Sequence, residues 1–230
     1  MKTVAIASLV LIAQVSANAA VLVDWDFSGI PAEPGGSENT PPPHPLLLST
    51  NANAAAGLSS SDLDHVGLTY STAVAPGGVG TAVAGELNVK NFDRGGDGIN
   101  DHYIFFTLAA DAGNTLNIDT LSINLWRNGG GAPNGIAFDV SVDSGPFELY
   151  DAVQTQGTGA GVPVLREFNE SITGAGSVEI RFTPRNAGQG STGNFHISGL
   201  TVEGSVIPEP SGALLSLVGT GLLALRRRRQ

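Results

Sequence analysis

The chain has 230 residues, no cysteine, and 21 acidic against 11 basic side chains, a formal net charge of −10 at pH 7. It has no disulfide framework or thiol chemistry to draw on, and its acidity disfavours nucleic acid or an anionic membrane surface as a partner. With Lys2, Glu209 and Arg226 to Arg229 set aside, residues 20–206 hold 20 acidic against 6 basic side chains, a net −14, compatible with cations or with a polymer bound through neutral groups.

Residues 1–19 begin with Lys2, continue through an apolar stretch from Val4 to Val15, and end in Ala17-Asn18-Ala19. A basic start, a short apolar core and an A-x-A site describe a secretory signal peptide. An N-terminal anchor fits less well, because the apolar stretch is too short to span a bilayer. The expectation is an exported chain, cut by signal peptidase so that the mature protein begins at about Ala20.

Residues 20–206 form one domain, long enough for a real core. In VLVDWDF (21–27), Val21, Val23, Trp25 and Phe27 share one face while Asp24 and Asp26 take the other. The segment from 31 to 61 clusters proline and small residues and reads as a long, partly disordered loop, its middle pinned by Leu46, Leu47 and Leu48. HYIFFTLA (102–109) is apolar on both faces and suits a central strand. LSINLWR (121–127) aligns Leu121, Ile123 and Leu125. IAFDVSV (136–142) aligns Ile136, Phe138, Val140 and Val142, with Asp139 and Ser141 outward, and VEIRF (178–182) puts Glu179 and Arg181 outside. Period-two alternation between Gly/Asn/Asp-rich breaks marks half-buried antiparallel strands. Asp143-Ser144-Gly145-Pro146 predicts a hairpin with Gly145 free to take positive φ. In NFHISGLTVEG (194–204), Phe195 and Ile197 are out of phase with Leu200 and Val202, and a bulge at Ser198-Gly199 restores both pairs to the core. Eight to ten short strands without helical periodicity predict an all-β antiparallel sandwich, jelly-roll-like.

Several groups are candidates for chemistry. Asp93, Asp97 and Asp101 lie among glycines in NFDRGGDGINDHY (91–103), and carboxylates on a flexible loop are the hard oxygen donors Ca²⁺ takes. Their spacing is not that of an EF-hand, and aspartates are also ordinary turn residues. No other cofactor is implied. His44, His65, His102 and His196 have no metal-ligand spacing between them; His102 and His196 read as surface or capping residues. No G-x-S-x-G occurs. Glu148, Glu167, Glu170 and Glu179 are the carboxylates from which a glycosidase pair would be drawn. Gly188, Gly190 and Gly193 make a G-x-G-x-x-G that leads into a strand and reads as a loop, since no helix N-terminus follows to hold a phosphate. The aromatics that could stack on a sugar are Trp126, Tyr103, Tyr150 and Trp25, with Trp126 and Tyr150 the ligand-binding candidates. Trp126 is opposite in phase to Leu125 and so faces outward, whereas Trp25 belongs to the core.

Residues 207–230 close the chain. Pro208-Glu209-Pro210 is followed by an apolar run from Ser211 to Leu225 and then by Arg226, Arg227, Arg228 and Arg229. As a helix the run reaches about 22 Å, short of a bilayer core of roughly 30 Å. Snorkelling arginines let a short helix suffice and hold its end in the cytoplasm. Order, spacing and position resemble the PEP-CTERM sorting signal, a motif also named the C-terminal domain of ice-binding proteins. The resemblance implies an inner-membrane intermediate with the body in the periplasm and processing near P-E-P by an exosortase-type enzyme. It also implies delivery to the cell surface or matrix of a Gram-negative host that makes exopolysaccharide. A simple permanent tail anchor is the alternative. The body, from HYIFFTLAADAGNTLNIDTLSINLWRN to the last strand, is similar to the jelly-roll-like bodies of such sorted proteins. Where many of them read approximately I-D-N-V, this chain has Ile197-Ser198-Gly199-Leu200, so a ligand tied to that Asp-Asn is not implied.

The expected function is that of an exported, surface-sorted, non-catalytic structural or matrix protein associated with exopolysaccharide. The alternatives are a carbohydrate-binding module, recognisable by Trp126 or a tyrosine exposed on a concave face, and a glycan-active enzyme, which needs paired carboxylates. Ice binding is disfavoured by the absence of a T-x-T array or short repeat.

Overall fold

The computed structural model describes residues 19–25, 27, 39–40, 54–61, 63–71, 87–90, 102–128, 135–154, 164–169, 171–185 and 194–209. These form the strands β1 (Ala20–Trp25), β2 (Asn39–Thr40), β3 (Leu58–Ser60), β4 (Asp64–Val66), β5 (Thr69–Ser71), β6 (Leu87–Lys90) and β7 (Tyr103–Ala110). They continue as β8 (Asn114–Asn128), β9 (Gly135–Val142), β10 (Glu148–Gln154), β11 (Val164–Phe168), β12 (Ile172–Ala175), β13 (Ser177–Arg185) and β14 (Asn194–Pro208). Every pairing among them is antiparallel. The signal peptide, the apolar run 211–225 and Arg226 to Arg229 lie outside the described residues. No helix among the described residues is long and apolar enough to cross a membrane.

Two sheets carry the body. The larger runs β11-β8-β14-β6-β5-β2, with β1 also on β14 and β12 also on β8; the smaller runs β10-β9-β13-β7-β3, with β4 also on β7. The predicted inward sets hold, although Ser141, expected outside, is buried and Val142 is only partly so. Ile104, Phe106 and Leu108 of β7, Val178, Ile180 and Phe182 of β13, and Ile136, Phe138 and Val140 of β9 are buried. From the larger sheet, Leu121, Ile123 and Leu125 of β8 and Ile197, Leu200 and Val202 of β14 join the same core. The expected bulge is present: the β14–β8 register shifts between Ile197 and Gly199, returning Leu200 to the core.

The first strand departs from its simple alternation. β1 shifts register on β14 between Val21 and Val23, so Val21 is half exposed and Leu22 is buried in its place. The cause lies across the sheet at Gly204, where β14 also shifts register against β8. A Cβ on Gly204 would sit 2.0 Å from the Asn117 carbonyl oxygen and 2.9 Å from Leu22 Cδ1. The backbones of β8 and β14 approach so closely there that only a bare α-carbon fits.

Two boundaries also move. Within 31–61, residues 39–40 and 58–60 are strands, and Leu58 is buried where β3 pairs with the end of β7; Leu46 to Leu48 lie outside the described residues. At the other end, β14 continues past Val206. Ile207 pairs with Thr115, Pro208 with Asn114, and the Glu209 amide donates to the Gly113 carbonyl at 2.8 Å. The strand runs as far as β8 offers it a partner, and its final position tolerates a proline that has no N–H to give. The folded body therefore extends to Glu209.

Replacing Gly204 with alanine should cost at least about 3 kcal/mol, the upper range for overpacking, because the obstacle is backbone and cannot rotate away. In a domain of this size that is a fall in Tm of roughly 6–12 °C, whereas Ser205→Ala, one residue on, should melt like the parent. An unshifted Gly204→Ala melt would refute the close approach.

Candidate functional site

The residues between the core positions of β7, β13 and β9 form the outer face of the smaller sheet. Register sets Phe105 opposite Arg181 and Arg181 opposite Asp139, with Thr107 and Ser141 on either side of Glu179. At the edge, Asp64 of β4 stands opposite Phe105 and Val66 opposite Tyr103. The face is therefore aromatic on β7 and charged on β13.

A hairpin adds to it. After β9 the chain turns through Asp143 (φ 50°) and Ser144 (φ 61°), and the Gly145 amide closes the turn on the Val142 carbonyl at 2.8 Å. Positive φ was expected at Gly145. Instead two non-glycine residues take it, as a tight two-residue hairpin turn requires at both central positions. Aspartate tolerates this better than most residues, and here its side chain is held as well. Asp143 Oδ1 accepts from the Gly176 and Ser177 amides at 2.8 Å each, pinning the hairpin to the turn before β13. The Ser141 hydroxyl donates to the Gly145 carbonyl at 2.7 Å. The arm so fixed carries Phe147 over the sheet.

Arg181 lies at the centre of the assembled face. Its Cζ is 3.5 Å from the Phe147 ring centroid and 4.5 Å from that of Tyr103. Its Nε donates to Glu179 Oε1 at 2.9 Å, with the two side chains 28% and 31% exposed. An exposed pair like this adds little to stability, but with two ring contacts it fixes where the guanidinium lies. Tyr103 and Phe105 meet edge to face at 5.8 Å. Thr183 donates its hydroxyl to Asp139. Phe147, Leu149 and Val66 remain exposed around the rim.

The residues singled out from sequence fall elsewhere. Trp126 is buried, not exposed: it stacks on His196, its cross-strand partner, with centroids 3.6 Å apart and planes 10° from parallel. His196 is thus buried too, rather than a surface or capping residue. Tyr150 is turned inward by a register shift between Leu149 and Asp151, which leaves Leu149 outside. It lines an apolar cleft at the open edge between the sheets with Ile118, Phe138, Phe168 and Ile172. His102 lies half-buried across Gly67, so close that a Cβ there would overlap its imidazole. Glu179 is tied to Arg181, Glu148 is exposed at the start of β10, and Glu167 is exposed on β11 of the other sheet. His44, Asp93, Asp97, Asp101, Glu170, Pro210 and the glycines at 188, 190 and 193 lie outside the described residues. Among those described, no group of three or more His, Asp or Glu side chains is placed to hold a metal.

Phe147 and Arg181 were missed as partners. The available signal was HYIFFTLA, whose outward phase is Tyr103 and Phe105: an outer face rich in rings needs something to cover or to use it.

No protein-family model and no curated protein sequence matches the chain. Among solved structures, it is similar to one titled "CBM4 structure and function" at 15% identity and a TM-score of 0.32, covering 56% of this chain and 76% of that one. It is similar to a GH26-CBM35 β-(1,4)-mannanase of Podospora anserina at 18% identity and a TM-score of 0.36, over 68% of this chain and 29% of that one. A third is a CBM32 module from Clostridium perfringens in complex with GalNAc-β-1,3-galactose, at 21% identity and a TM-score of 0.26, over 44% and 65%. Similarity at this level transfers no binding site.

His65 of β4 faces inward opposite Ile104 and is buried. Burial lowers its pKa below the ordinary histidine value, against the opposing pull of the Asp64 carboxylate. The unfolded chain therefore binds a proton more readily than the folded one. Stability from this group is complete above the unfolded pKa of about 6.5 and is lost as the pH falls from there toward the lowered folded pKa. His65→Phe should flatten the loss of Tm between pH 7.5 and 5.5, and an equally steep loss in the variant would refute the assignment.

Proposed function

We propose that the body is a non-catalytic glycan-binding sandwich that docks a polysaccharide on the outer face of the smaller sheet. One observation carries the reading: Tyr103, Phe105 and Phe147 are gathered around Arg181 on a face that leaves Phe147, Leu149 and Val66 exposed. Sugars present apolar C–H faces flanked by hydroxyls. A surface suited to them combines ring faces for the former with fixed polar groups for the latter. The reading rests on that face and not on the partial overlaps with carbohydrate-binding modules. Binding is favoured over catalysis because Glu179, the carboxylate at the centre, is committed to Arg181.

Around this body we place the export and sorting inferred from the termini. Signal peptidase removes residues 1–19, the sorting segment 207–230 holds an inner-membrane intermediate, and an exosortase-type enzyme processes it near Pro208-Glu209-Pro210. The body then serves at the cell surface or in the matrix, with exopolysaccharide as the natural ligand. Pro208 ends β14 and Glu209 is hydrogen-bonded to Gly113, so the motif starts extended, the form a processing enzyme can bind.

Two experiments test the two halves. On a glycan array, Tyr103→Ala and Phe147→Ala should each weaken the strongest interaction about tenfold, the equivalent of ~1.4 kcal/mol of ring contact, without lowering Tm by more than a few degrees. Failure to bind any glycan, or binding untouched by both changes, would remove the glycan reading. Mass spectrometry of surface protein should find a chain beginning at about Ala20 and lacking Arg226 to Arg229. An intact C-terminus would favour the plain anchor.

A further inference from the structure

We infer that the face selects a neutral polysaccharide over a polyanionic one, and that Arg181 is its specificity-determining donor, offering Nη1 and Nη2 to a pair of neighbouring sugar hydroxyls. The inference rests on the glycan reading above and goes beyond it in naming the ligand's charge class and the group that reads it.

Three observations carry it. First, the guanidinium is only partly used. Nε is engaged by Glu179 and the ring faces of Phe147 and Tyr103 hold the plane, while among the described residues Nη1 and Nη2 have no hydrogen-bond partner. A planar fork held in one place can donate two parallel bonds to two adjacent oxygens, and the ordering cost has been met on folding rather than on binding. Second, the positive charge is already spent. Glu179 pairs with it at 2.9 Å, Asp139 is its cross-strand neighbour, and Asp64 stands opposite Phe105 on the same face. One carboxylate pairs with the cation and two more, Asp139 and Asp64, stand on the same face, on a chain of net charge −10. A polyuronate would bring further carboxylates into that field, at a cost in like-charge repulsion. A neutral hydroxyl pair accepts the same two bonds without that cost. Third, the described side chains that flank it are rings and aliphatic groups rather than further cations.

The test compares three neutral hexasaccharides (cellohexaose, mannohexaose and laminarihexaose) with an alginate hexamer, by calorimetry on the purified protein at 50 and 500 mM NaCl. At least one neutral hexamer should bind with less than a twofold change across that salt range, and alginate should bind at least tenfold more weakly. Arg181→Lys keeps the charge but loses the fork. It should weaken the neutral hexamer at least tenfold while Tm stays within a few degrees. Glu179→Gln provides a second readout: by removing one carboxylate it should narrow the preference for the neutral hexamer over alginate at least threefold at 50 mM NaCl. Tighter binding of alginate than of the neutral sugars, lost at high salt, would overturn the inference. An Arg181→Lys protein that binds the neutral hexamer as the parent does would overturn it too, while leaving the glycan reading intact. No binding to any of the four would remove both.

Discussion

The two sheets are joined by a chain of aromatic contacts, and the rest of the structure depends on it. Trp25 of β1 meets Phe106 of β7 at 4.4 Å, Phe106 meets Phe182 at 5.7 Å, Phe182 meets Phe138 at 4.9 Å, and Phe138 meets Phe168 of β11 at 3.7 Å. The chain starts in the larger sheet, crosses three strands of the smaller one, and returns to the larger. Without cysteine there is no disulfide clamp between the layers, so burial between the sheets carries much of the load, with tilted and edge-to-face rings adding roughly 0.5–1.5 kcal/mol per pair beyond their area. Trp25 bears a cost for its place. Its buried Nε1 has no acceptor among the described residues, a loss of about 1–3 kcal/mol that a ring this size offsets by the surface it removes from water.

Fixing Phe106, Phe182 and Phe138 inward fixes their neighbours outward. A strand has a period of two, so committing one face to the core commits the other to whatever the sequence puts between. On β7 that is Tyr103 and Phe105, on β13 Glu179, Arg181 and Thr183, and on β9 Asp139 and Ser141. The candidate site is thus the complement of the aromatic core, held by the same three strands. Phe147 arrives from elsewhere, on an arm braced by Asp143 to the neighbouring turn, and Val66 of β4 and Leu149 of β10 complete the rim.

The legible and illegible parts of this structure divide along the range of the forces involved. Alternation along one strand is local, and it foretold the inward sets of β9 and β13 and the bulge at Ser198-Gly199. What two strands do to each other is not local. The Val21–Val23 shift answers to Gly204 and Asn117, nearly 100 or more residues away in sequence, and nothing in VLVDWDF announces it. Trp126 is outward by phase yet buried, with His196 directly across the sheet stacked on it. Tyr150 was a fair candidate for exposure until the shift beside Leu149 turned it inward. The Arg181 site was half legible: alternation put Arg181 outside, but its ring partners come from β7 and from the β9–β10 arm, which only the folded sheet brings together.

Position along the strands bears on how the proposed glycan face and the proposed membrane tail would coexist. β14 leaves the body at Glu209 beside Gly113, next to the end of β7 at Ala110 and the turn at Gly176. Arg181 pairs with Phe105, five residues back along β7, and Tyr103 lies seven residues back. At about 3.3 Å per residue these are roughly 16 and 23 Å from the point of exit. In the proposed inner-membrane intermediate, the tail's end of the sandwich, which includes the β9–β10 turn pinned to Gly176, would face the bilayer, with Arg181 and Tyr103 set back from it along the strands. The site is also on the smaller sheet, whereas the tail continues a strand of the larger one. Neither occupancy of the membrane nor processing near Pro210 needs to disturb Arg181 and its rings, so the same face can engage polysaccharide before and after release.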